Sequence, residues 1–181
     1  MVPWSDEGID IMPQPTGHVV STANGAYELT LTRIFDAPAA DVWASLTESD
    51  KTAAWLGPWR GAAGVGKTIE LQMAFEEGDA WSPARIDACE PPEHIFVTTL
   101  SETGNWPLEA RLTESDGRTT LTFTHHLADA ALAEFSGPGW EYYLDNLVAS
   151  RDGQPLPDFA DYYPAQAEFY LGEARRAAPQ A

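Results

Sequence analysis

The chain has 181 residues, 44 % of them hydrophobic, with seven Trp, six Tyr and seven Phe. That is enough for one domain burying roughly 70 % of its unfolded surface. Ten basic against 28 acidic residues give a net charge of −18, which repels phosphate backbones and anionic lipid surfaces and argues against nucleic-acid and membrane partners. The first residues lack the positive charge and apolar run of a signal peptide, no stretch is long enough to span a membrane, and Cys89 is the only cysteine. A reducing cytoplasm is therefore the expected location.

Residues 1–20 carry Pro3, Pro13 and Pro15 and little periodicity, which predicts a flexible arm ahead of a single domain at 21–181. "YELTLTRIF" at 27–35 alternates Tyr27, Leu29 and Leu31 with polar residues, a first strand. Pro38 sits near a helix start with Asp36 as a candidate cap, and Val42, Trp43 and Leu46 recur at helical spacing. A second short helix, opening at Glu48 or Ser49, is expected to end at Gly57-Pro58.

The next segment, "GAAGVGKT" at 61–68, matches the phosphate-binding pattern G-x-x-x-x-G-K-[ST]. That loop cradles phosphate only when a buried strand enters it and a helix leaves it. Here Ile69, Leu71, Met73 and Phe75 alternate with Glu70, Gln72, Ala74 and Glu76, so a half-buried strand follows Lys67 instead. The match is accidental, and no nucleotide, metal or other cofactor is expected.

Strand follows strand from residue 67 on. The breaks fall at Gly78-Asp79, Pro91-Pro92, Gly104-Asn105 and Asp116-Gly117, the last a strong hairpin signal. They define a five-stranded antiparallel meander. "GPGWEYYLDNLVAS" then puts Trp140, Tyr143, Leu144 and Leu147 on one helical stripe, and "AQAEFYLGEARR" can form a last short helix. A sheet with one apolar face must cover it, and the long helix is the natural lid. A curved sheet around one helix leaves a concave space suited to an apolar pocket.

Parity assigns the pocket wall. Leu71, Met73 and Phe75 share a face of one strand; Trp106 and Leu112 lie on a second; Leu121, Phe123 and His125 lie on the last. With Trp140, Tyr143, Leu144 and Leu147 from the helix these either line a cavity or fill a core. His125 is the polar member of that face, able to orient a ligand or act as an acid–base group, or simply to sit satisfied in the core. His126 points to the opposite face, so the pair cannot ligate one metal, and no cluster has metal-ligand spacing.

"RIFDAPAADVWASLT", "ACEPPEHIFVTT", "TTLTFTHHL" and "GPGWEYYLDNLVA" together resemble the START-like (SRPBCC) superfamily, closest to domains similar to the activator of the heat-shock protein 90 ATPase, over about residues 26–150. The resemblance implies an α+β helix-grip (Bet v-like) fold: a curved antiparallel sheet around a long C-terminal helix, with two short helices after the first strand. It also implies a pocket entrance near "WLGPWR", where Trp55 and Trp59 act as a lid or as a plug. The expected function is binding of a small apolar or aromatic ligand. The alternatives are an enzyme of polyketide cyclase or aromatase type using His125, and a chaperone-interacting module. The last is disfavoured because eukaryotic co-chaperones of this kind carry a further N-terminal domain, whereas this chain opens on a short arm. Whether the chain is a homodimer is left open.

Overall fold

The computed structural model describes residues 12–102 and 104–178. Its elements in chain order are strands β1 (His18–Ser21) and β2 (Tyr27–Phe35), helices α1 (Ala39–Thr47) and α2 (Ser49–Thr52), and strands β3 (Trp59–Arg60), β4 (Thr68–Gln72), β5 (Trp81–Glu90), β6 (His94–Thr99), β7 (Trp106–Ser115) and β8 (Arg118–Leu127). Helices α3 (Ala133–Asp152) and α4 (Ala167–Ala177) complete the chain. The strands form one antiparallel sheet in the order β1-β2-β8-β7-β6-β5-β4-β3. This is the helix-grip arrangement, with α3 across the concave face.

The alternation of apolar and polar residues explains the sheet. Ile86, Val97, Leu108, His125, Leu29 and Val19 are successive cross-strand partners from β5 to β1, so one row of side chains runs across the face beneath α3. Burial is deepest at its β2–β8 end, where Leu29, Leu31 and Leu121 meet Leu144 and Leu147 of α3, each at most 1 % exposed. Each such leucine contributes about 1.5–3 kcal/mol relative to exposure. Asp116 and Gly117 join β7 to β8 with φ of 53° and 76°, the left-handed pair that matches the twist of a two-residue hairpin. At Gly57, φ is 149° and an added Cβ would lie 1.7 Å from the Gln72 carbonyl oxygen; only glycine lets the chain pass β4 so closely.

Four sequence expectations need correction. Part of the expected arm, residues 1–11, lies outside the described residues, but 12–20 are tied down. β1 pairs with β2, Gln166 donates to the Pro13 carbonyl, and the Thr16 and Gly17 N–H groups donate to Glu141. Asp36 does not cap α1, whose N-cap is Pro38, and instead accepts from Arg118. β4 ends at Gln72, leaving Met73 and Phe75 in the following turn. α3 begins at Ala133 rather than at Gly137, running through Pro138.

α4 packs against both α3 and β1, and a buried polar network joins these elements. Glu141 of α3, 1 % exposed, accepts from Arg33 of β2 at 2.6 Å, from Tyr170 of α4 at 2.5 Å and from the Gly17 N–H at 3.0 Å. Arg33 also donates through Nε to Asp145, one turn along α3, and Tyr162 donates to the same carboxylate at 2.7 Å. These donors hold the Glu141 carboxyl below its ordinary range against the opposing effect of burial, which is the larger single influence.

A cavity between the sheet and the long helix

On the half of the concave face away from that core, sheet and helix separate. Between them lies a cavity of about 700 Å³, within the size range of small-molecule sites. Its sheet wall is Leu71 of β4, Ser82 of β5, Thr99 of β6, and Trp106 and Leu108 of β7. Phe135, Ser136, Gly139, Trp140, Tyr142 and Tyr143 form the helix wall. Met73, Phe75, Glu76 and Glu77 from the β4–β5 turn, with Leu56, Leu100, Ser101 and Phe159, close the remaining sides.

The aromatic wall is mutually braced. Trp140 and Tyr143 rings are 5.8 Å apart, Phe75 meets Tyr143 edge-on at 6.4 Å, and Tyr142 meets Phe159 edge-on at 5.3 Å. The Tyr143 hydroxyl donates to Glu76 at 3.3 Å. Burial and that neighbouring carboxylate both push the phenol pKa up, so it stays protonated.

Of the candidate residues, Leu71, Met73, Phe75, Trp106, Trp140 and Tyr143 come together here. Leu112, Phe123, Leu144 and Leu147 face inward but are packed in the core and do not line the cavity. Neither Trp55 nor Trp59 stands at the entrance: Trp55 is buried with its indole N–H donating to the Ser45 carbonyl, and Trp59 donates to the Thr47 carbonyl beside α1. They plug the α1–α2 end of the sheet. Leu108 has the same strand parity as Trp106 and Leu112, whereas Tyr142, Phe135 and Phe159 carry no sequence signal that separates them from core or loop.

His125 lies one layer behind the wall. It is 4 % exposed, its ring stacks on Trp106 at 4.9 Å, and its Nδ1 accepts from the Trp140 indole N–H at 3.2 Å. That bond requires an unprotonated Nδ1. Burial, reinforced by the nearby His126, lowers the imidazole pKa from 6.5 to about 4, so the ring is neutral at pH 7. It positions the two tryptophans of the cavity wall. On the outer face His126 sits between Glu109 and Glu28, and His94, which opens β6, donates through Nε2 to Glu109 at 2.8 Å. Among the described residues no group of three or more His, Cys, Asp or Glu is placed to hold a metal ion, and no helix is long and apolar enough to cross a membrane.

The depressed His125 value has a sign that can be measured. Between about pH 6.5 and 4 the unfolded chain takes up a proton on this ring that the folded chain refuses. Stability is thus fully present above pH 6.5 and falls as pH drops through that window. From pH 7 to 4.5 the loss from this group is about 2–3 kcal/mol. His125→Gln keeps an acceptor for Trp140, and its urea midpoint should decline less steeply over the same interval. Parallel declines in variant and wild type would show that His125 titrates normally.

Residues 36–150 match the family described as Activator of Hsp90 ATPase homolog 1-like protein. The chain belongs to that family. Solved structures share the fold of this chain. CalU16 from Micromonospora echinospora is 21 % identical, with 89 % of this chain and 97 % of that one covered at a TM-score of 0.71. The protein encoded by gene BPP1335 from Bordetella parapertussis is 23 % identical over 92 % and 93 % of the two chains, with a TM-score of 0.68. DynU16, from the dynemicin biosynthetic locus, is 20 % identical over 73 % of this chain and 50 % of its own, with a TM-score of 0.63. No curated protein matches the sequence.

Proposed function

We propose that the chain binds a small, mainly apolar molecule in the cavity between the sheet and α3. The observation that carries this reading is a cavity of about 700 Å³ walled by aromatic and aliphatic side chains. Three of these, Trp106, Phe135 and Phe159, are 45 %, 59 % and 44 % exposed. Exposed apolar residues grouped around one hollow, rather than scattered singly, mark a surface that a ligand covers. The preformed aromatic wall needs little reordering on binding, which favours affinity.

A cyclase-type role for His125 has less support. A general base must come within hydrogen-bond reach of substrate, and this ring stands behind Trp106 with Nδ1 occupied by Trp140. Titration with N-phenyl-1-naphthylamine, a neutral apolar dye that brightens out of water, tests the binding reading. The fluorescence is expected to saturate at one dye per chain with an affinity on the order of micromolar. A signal that rises without saturation would overturn it.

A further inference from the structure

We infer that the cavity selects its occupant by head-group charge, taking apolar molecules that carry a basic amine in preference to those of equal length that carry a carboxylate. The inference rests on the binding reading above and names the ligand class for the same site.

Among the described residues Glu76 and Glu77 are the acidic members of the lining, and no Lys, Arg or His accompanies them. Glu76 is exposed, and it accepts from the hydroxyl of Tyr143, a buried residue of the wall. That hydroxyl is thereby committed to a carboxylate and is turned away from serving an anionic ligand. His125, the nearest base behind the wall, is uncharged at neutral pH. Arg60, at the β3 edge, is already paired with Glu70 and lies over the Trp81 ring. A carboxylate entering the cavity would therefore lose hydration and find no countercharge. An ammonium would meet two carboxylates and a wall that includes Trp140, Tyr143, Phe75 and Phe159, aromatic rings of the kind whose quadrupoles attract cations. The chain's charge of −18 adds a long-range bias in the same direction, which salt screens.

The test is displacement of bound N-phenyl-1-naphthylamine by decylamine, decanol and decanoate at pH 7 and about 0.15 M salt, where long-range fields are damped. Decylamine should compete about tenfold more tightly than decanoate, with decanol between them. In Glu76→Gln/Glu77→Gln that ratio should shrink to about threefold or less. In Asp152→Asn/Glu168→Gln, which removes the same charge from exposed positions outside the cavity, it should persist. Failure of the dye itself to bind would contradict the binding reading. Dye binding with decanoate competing as well as decylamine would overturn this inference alone. Equal loss of preference in both double variants would also overturn it, by assigning the effect to overall charge. Glu77→Gln alone, at an exposed site, repeats the test with minimal risk to folding and should lower the ratio partway.

Discussion

Arg33→Ala is expected to destabilise the fold by about 3–5 kcal/mol, a fall in melting temperature on the order of 10 °C for a chain of this size. Glu141 is 1 % exposed, and Arg33 supplies its countercharge at 2.6 Å while also reaching Asp145. Removing the guanidinium leaves a buried carboxylate with neutral donors only, and the cost is chiefly that of the uncompensated charge. Burial opposes the Arg33 charge most strongly, yet the two carboxylates outweigh it together and raise its pKa. The double variant Arg33→Met/Glu141→Leu, which removes both charges, should recover much of the loss. The same network makes Gly137 irreplaceable: a Cβ there would lie 2.3 Å from the Tyr170 ring, which is fully buried and hydrogen-bonded to Glu141. An Arg33→Ala protein melting within a degree or two of wild type would mean that the network does not hold β2, α3 and α4 together.

Trp140→Ala is expected to cost a similar amount, about 3–5 kcal/mol. The indole is 5 % exposed, lies 4.4 Å from the Phe123 ring and 5.8 Å from Tyr143, and donates to His125. Truncation removes that packing, deprives Nδ1 of its donor and merges the cavity with space inside the core. Urea unfolding monitored by circular dichroism measures the change. A loss below about 1 kcal/mol would place Trp140 outside the sheet–helix contact.

The sequence carried the meander well because its strands are long enough for period two to show. β2, β7 and β8 begin and end where their alternation does. Four-residue β1 and two-residue β3 are too short for any period, and Pro13 and Pro15 beside β1 read as loop. Gly137-Pro138-Gly139 punctuates the sequence where α3 already runs, because Gly137 makes room for the Tyr170 ring. Propensity could not anticipate that contact.

The cavity was half legible for a related reason. Parity separates the inner face from the outer one, and it placed His125 beneath α3. Parity does not say where along that face the helix lifts away. Leu112 and Phe123 share a face with Leu108 and Trp106, yet the first two pack against other side chains and the second two border open volume. Phe159 reaches the site from a 3-10 turn (Phe159–Asp161) 51 residues beyond Leu108, a proximity that only the tertiary fold creates.

Gly139 offers the most direct measurement of the central claim. It lines the cavity from α3, and a Cβ added there meets nothing within 4 Å, so Gly139→Phe puts a ring into the open volume without a clash at its root. Gly172 on α4 is equally unobstructed but lies away from the cavity, and Gly172→Phe is the matched control. Titration of N-phenyl-1-naphthylamine into wild type and both variants should give saturable binding to wild type and to Gly172→Phe, and binding weaker by about tenfold or more to Gly139→Phe. Unchanged affinity in a folded Gly139→Phe protein would contradict the account, because the dye would then occupy some other surface.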